Sequence, residues 1–123
     1  MMQTPDLILL YVKDIEKSTR FYRDLLTRDP KAGFPTYVAF GLDGGITLAL
    51  WSTKAPNMPS AGSGNRFELA FQVENEETVE SMCSEWRQRG MEIEQEPFTA
   101  VFGRTFVGLD PDGHRIRVCV ADR

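Results

Sequence analysis

A chain of 123 residues, 41% hydrophobic and 26% charged, has the composition of one soluble globular domain with a real core. Its formal net charge of −4, with no basic stripe, argues against nucleic-acid binding. No run nears the roughly 18 apolar residues of a membrane span, and the N-terminus carries no signal pattern, so a cytoplasmic protein with no membrane partner is expected.

Leu7 to Val12 is a continuous apolar run of strand length. Asp14 then caps a helix in which Ile15, Ser18, Thr19, Tyr22, Leu25 and Leu26 recur at helical spacing, with Glu16 in the first turn. Pro30 and Gly33 break the pattern. Thr36–Phe40 and Ile46–Trp51 read as strands joined through the hairpin turn Asp43-Gly44-Gly45. Ser52 to Gly64, rich in Pro, Ser, Gly and Ala, has no apolar period and is expected to be a loop.

The order then repeats. Phe67–Val73 is a strand, and Glu76–Arg89 is a helix carrying Val79, Met82, Cys83 and Trp86 on one side, with Gly90 at its end. Met91–Glu96 reads as a short strand. Gly103 to Cys119 reads as a hairpin around Asp110-Pro111-Asp112-Gly113, where proline presets φ and glycine supplies a positive one. After that turn Ile116, Val118 and Val120 alternate with Arg115, Arg117 and Cys119, the period of a half-buried strand. Cys83 and Cys119 lack C-x-x-C spacing, so neither a disulfide framework nor a zinc knuckle is expected. The expected fold is α+β, a single domain over 1–123 made of two βαβββ modules, about 1–55 and 65–123, forming a curved mixed sheet. The repeat is one of pattern rather than of letters.

This βαβββ repeat, the opening V-x-D-I-E-K-S-x-x-F-Y-x-D-L-L (Val12–Leu26) and the closing L-D-P-D-G-H-x-I-R-V resemble the vicinal oxygen chelate superfamily. That group holds glyoxalase I, extradiol dioxygenases, fosfomycin-resistance enzymes and bleomycin-binding resistance proteins, so the fold does not by itself assign an activity. The resemblance implies that catalytic members carry His, Gln or Glu at four positions pointing into the cup of the sheet. These fall here on Leu7, Ala49 (or Thr47, one pleat earlier), Glu68 and Arg117. Leucine and alanine offer no lone pair, and arginine is a permanent cation without an acceptor. Glu68 alone does not hold a divalent metal against water, so neither a metal nor another cofactor is expected. His114 lies in the hairpin turn, beside the cup.

Strand parity sets the faces. With Ile8, Leu10 and Val12 toward the helices, Leu7, Leu9, Tyr11, Thr47, Ala49 and Trp51 face the cup, as do Glu68, Ala70, Gln72, Arg115, Arg117 and Cys119. The resembled fold makes the strands of Glu68 and Arg117 neighbours, so the two either pair structurally or leave Arg117 for a ligand's carboxylate. Within the superfamily the chain is most similar to phenazine-antibiotic resistance proteins, which bind a griseoluteate-type aromatic drug without modifying it. The matching runs are Y-V-A-F (Tyr37–Phe40), L-W-S (Leu50–Ser52), E-P-F (Glu96–Phe98), V-F-G-R-T-F (Val101–Phe106) and D-P-D-G-H-R-I-R-V-C (Asp110–Cys119). The resemblance implies a planar ligand stacked on Trp51, with Phe40, Phe98, Phe102 and Tyr37 as candidates for the second aromatic.

The expected function is therefore metal-free sequestration of a planar hydrophobic compound, with Trp51, Tyr37, Phe40, Glu68, Phe98, Phe102 and Arg117 as site residues and no catalytic residue. The alternative is a metal-dependent glyoxalase- or dioxygenase-like enzyme or lyase of the same superfamily. Members of this size pair their subunits to complete the cup, which implies a C2 homodimer with shared sites.

Overall fold

The computed structural model describes residues 5–55 and 67–121, and the chain divides into two compact units, Met1–Ala61 and Gly62–Arg123. In the first unit, strand β1 (Leu7–Val12) leads into helix α1 (Ile15–Leu26), followed by β2 (Ala32–Phe34), β3 (Tyr37–Gly41) and β4 (Thr47–Ser52). The sheet order is β1-β4-β3-β2, with β1 parallel to β4 and the remaining pairs antiparallel.

Asp14 starts α1 as its spacing predicts. Its backbone is extended and its carboxylate accepts the Lys17 N–H at 3.1 Å, satisfying one of the donors a helix start leaves over. The helix packs on β3 and β4 and turns Ser18 and Tyr22 into the core. Leu10, Val12, Val38, Phe40, Leu48 and Leu50 are buried on this side of the sheet. Between β3 and β4 the Asp43–Gly45 turn is a single 3-10 turn, in which Gly44 and Gly45 take φ of 79° and 80°. A β-carbon is disfavoured there, which is why a Gly-Gly pair closes this loop.

The second unit repeats the plan. Strand β5 (Glu68–Val73) precedes helix α2 (Glu76–Gln88), then β6 (Glu92–Ala100), β7 (Gly103–Leu109) and β8 (Arg115–Val120), in sheet order β5-β8-β7-β6 with β5 parallel to β8. Asn75 caps α2 by accepting the Thr78 N–H at 2.8 Å. The core lies between α2 and the sheet. Trp86 meets Phe106 edge to face at 5.2 Å and Phe71 at 6.0 Å, a favoured geometry for rings of opposite edge and face polarity. Gly108 leaves space for this packing, since a β-carbon there would stand 3.4 Å from the Trp86 ring and 2.4 Å from Met91 Sδ.

The α+β class and the doubled βαβββ order agree with the reading of the sequence, and two details differ. A short strand, β2, pairs with β3 where only a helix break was expected. The strand expected over Met91–Glu96 instead runs to Ala100, through Pro97. β6 is an edge strand, the place where a sheet tolerates proline, and Pro97 falls within the register shift between Gln95 and Phe98. The loop expected over 52–64 lies, from residue 56 on, outside the described residues. Among the described residues no helix is long and apolar enough to cross a membrane.

Candidate functional site

Each sheet has one face packed on its helix and another turned away from it. In the first unit the pairings Leu7↔Thr47, Leu9↔Ala49 and Tyr11↔Trp51 put those six side chains together on the second face, matching the parity reading. Across the antiparallel pair, Tyr37, Ala39 and Gly41 stand opposite Trp51, Ala49 and Thr47. One cross-strand row is therefore Tyr37–Trp51–Tyr11, three aromatic side chains on three adjacent strands. The Tyr11 and Trp51 rings lie 6.0 Å apart at a tilt of 40°, and Tyr11 is 42% exposed. The next row, Ala39–Ala49–Leu9, is low, with both alanines buried.

Phe40 does not belong to this surface. It stands opposite Leu48 and is fully buried on the helix side, because one pleat separates it from Ala39. It is a core residue.

In the second unit Glu68, Ala70 and Gln72 share a face with Arg115, Arg117 and Cys119, and with Thr105, Val107 and Leu109 of β7. Glu68 stands directly opposite Arg115, yet its ion pair is diagonal, with Arg117. Arg117 Nε donates to Glu68 Oε1 at 2.5 Å and Nη2 to Oε2 at 3.4 Å. The residue opposite Arg117 is Ala70, too short to obstruct the reach, while Arg115 pairs instead with Glu94 at 2.7 Å. Arg117 Nη1 also donates to Thr105 Oγ1 at 3.0 Å, and that hydroxyl donates to the Val118 carbonyl at 2.8 Å. The Phe102 ring, in the tight turn between β6 and β7, lies with its centroid 5.8 Å from Arg117 Cζ. Phe98 faces the same way as Thr105 and is 41% exposed.

The carboxylate of Glu68 is thus held by a guanidinium with side chains 33% and 18% exposed, a well-oriented but incompletely buried pair. This geometry gives Arg117 a structural partner. It also bears on metal binding. At the four positions that the resemblance assigns to ligands stand two hydrocarbon side chains, a cation, and a carboxylate already engaged by that cation. Among the described residues no three His, Cys, Asp or Glu side chains are grouped to hold an ion. These residues do not fit a divalent metal.

His114 is a turn residue. Its Nδ1–H donates to Asp110 Oδ2 at 2.7 Å, while Asp110 Oδ1 accepts the Asp112 and His114 N–H groups at 2.9 and 2.8 Å. The Asp110 side chain is fully buried, so this cluster ties the hairpin together. The hydrogen bond to Asp110 pushes the His114 pKa above its ordinary 6.5, against the opposing effect of burial and with help from the charges of Asp110 and Asp112. A raised folded-state pKa means the protonated form is the one the fold favours. The stabilisation is complete below about pH 6.5 and is lost as pH rises through the higher folded value. Denaturant unfolding across that range should show this loss in the parent and not in His114→Gln.

Two contributors were not singled out in the sequence. Tyr11 has the right parity but acquires its role only because β1 lies parallel beside β4. Thr105 gains its link to Arg117 only through the β7–β8 register.

Residues 4–118 match the Glyoxalase/Bleomycin resistance protein/Dioxygenase superfamily, and the chain belongs to it. The phenazine antibiotic resistance protein EhpR of Enterobacter agglomerans is 41% identical over 122 residues, covering 97% of this chain and 93% of that protein. A solution NMR structure of an Agrobacterium tumefaciens protein is 40% identical with a TM-score of 0.84, covering 97% and 98% of the two chains. The crystal structure of a glyoxalase-related enzyme from Fulvimarina pelagi, 23% identical over 98% of this chain and 89% of its own, has a TM-score of 0.79 and shares the fold.

Proposed function

We propose that the protein is a metal-free binder that sequesters a planar aromatic compound of the phenazine class and so confers resistance to it, acting in the cytoplasm. The observation that carries the reading is the Tyr37–Trp51–Tyr11 row, a partly exposed aromatic shelf on the face turned away from α1. Aromatic rings stacked on such a shelf gain from dispersion and from complementary ring polarity. The donor set supports binding over metal catalysis, since Leu7, Ala49 and the paired Arg117 supply no ligand. Similarity to a protein named for phenazine resistance supports the choice of compound.

Phe98 and Phe102 belong to the same reading as the aromatics of the second sheet, with Glu68 and Arg117 as the charged pair beside them. A C2 homodimer that completes the site is part of the proposal, and light scattering giving a stable monomer at micromolar concentration would remove it.

The test is a thermal shift series. A phenazine carboxylate at 100 times its Kd should stabilise the fold by about 2.7 kcal/mol, whereas nickel and zinc should leave the melting temperature unchanged. A shift with metal and none with the aromatic would reverse the assignment.

A further inference from the structure

We propose that Lys31 is the residue of this protein that receives the carboxylate of a phenazine acid. The inference rests on the proposed binding of a planar ring at Trp51 and adds the group that holds its charge.

Lys31 precedes β2, and its N–H is fixed by the Ala39 carbonyl at 2.8 Å. Its side chain crosses β3 at Gly41, the one residue of that strand without a side chain. A β-carbon at Gly41 would stand 3.4 Å from Lys31 Cδ, in contact with the stem that passes there. The ammonium thereby reaches β4 and donates to Thr47 Oγ1 at 2.6 Å. Thr47 pairs with Leu7 and Gly41 and shares the face of Ala49 and Trp51.

The face therefore has two chemically distinct ends. Trp51, flanked by Tyr11 and Tyr37, forms one. Lys31 and the Thr47 hydroxyl form the other, four residues along the same strand, about 13 Å at the usual strand rise. The low Ala39–Ala49 row separates them. A fused-ring acid is shorter than this, and the long Lys31 side chain and the Trp51 ring close the difference.

Lys31 is suited to the acid in a way that Arg117 and Arg28 are not. Arg117 is matched by Glu68, and Arg28 donates to the Gly41 carbonyl and lies 3.7 Å from Asp43. Lys31 is exposed and has no carboxylate within ion-pair distance among the described residues. An ammonium carries three donors, of which Thr47 takes one. The remaining two, with the Thr47 O–H, can receive a carboxylate through charge-assisted hydrogen bonds. In a chain of net charge −4 a local cation is needed to offset general repulsion of an anionic ligand.

The experiment is calorimetric titration with phenazine-1-carboxylate and its neutral analogue phenazine-1-carboxamide, using the parent, Lys31→Gln, Lys31→Arg and Trp51→Ala. Lys31→Gln should weaken the carboxylate about tenfold and leave the carboxamide unchanged, with Lys31→Arg retaining most of the affinity. Carboxylate affinity should fall with added salt in the parent and in Lys31→Arg, and not in Lys31→Gln. If Lys31→Gln binds the carboxylate within about twofold of the parent while Trp51→Ala loses both compounds, the role of Lys31 is overturned and ring binding stands. If the parent binds neither compound, both proposals fall.

Discussion

Trp51→Ala should weaken binding of a phenazine carboxylate by about 10- to 100-fold, since stacking on one aromatic side chain contributes roughly 1–3 kcal/mol per ring. The fold should survive. Trp51 is only partly buried, on the face turned away from α1, and its ring partner is the exposed Tyr11 rather than a core side chain. Ligand binding should also quench tryptophan fluorescence in the parent, leaving the background of Trp86, which α2 buries against its own sheet. Equal affinity in the variant, or a variant that unfolds, would make Trp51 a packing residue and place the ligand elsewhere.

Phe106→Ala should be the most damaging single truncation for stability, costing about 3–5 kcal/mol by lost burial and the cavity left behind. Phe106 is fully buried and forms the edge-to-face contact with Trp86 that joins α2 to its sheet. Because Gly108 beside it is shaped to admit Trp86 and Met91, the ring system has little freedom to collapse into the gap. Against a typical total stability of about 5–15 kcal/mol, such a loss lowers the melting temperature by roughly 10–20 °C. Calorimetry showing a loss under about 1 kcal/mol would mean that α2 is held by other contacts.

What the sequence made legible follows from which interactions are local. The Asp14 cap lies three residues from the N–H it receives, and strand alternation reads directly as face, so Leu7, Leu9, Tyr11, Thr47, Ala49 and Trp51 were grouped correctly. For Glu68 and Arg117 the sequence left open a structural pair or an arginine kept for a ligand, and the structure shows the pair. Phe40 was misplaced by drawing candidates from the run Tyr37–Phe40 as a block, although alternate residues of a strand occupy opposite faces. β2 escaped notice because Ala32, Gly33 and Phe34 carry no apolar period and form a strand only through pairing with β3. The Lys31–Thr47 contact was equally hidden, since it spans 16 residues and depends on the absent side chain of Gly41.

The central claim is that the protein holds a planar aromatic compound without metal and without altering it. Calorimetric titration of chelator-treated protein with phenazine-1-carboxylate, followed by chromatography of the recovered compound, tests this most directly. Binding should be saturable and unchanged by added nickel or zinc, and the compound should be recovered intact. Binding that appears only when metal is restored, or a compound recovered in altered form, would contradict it.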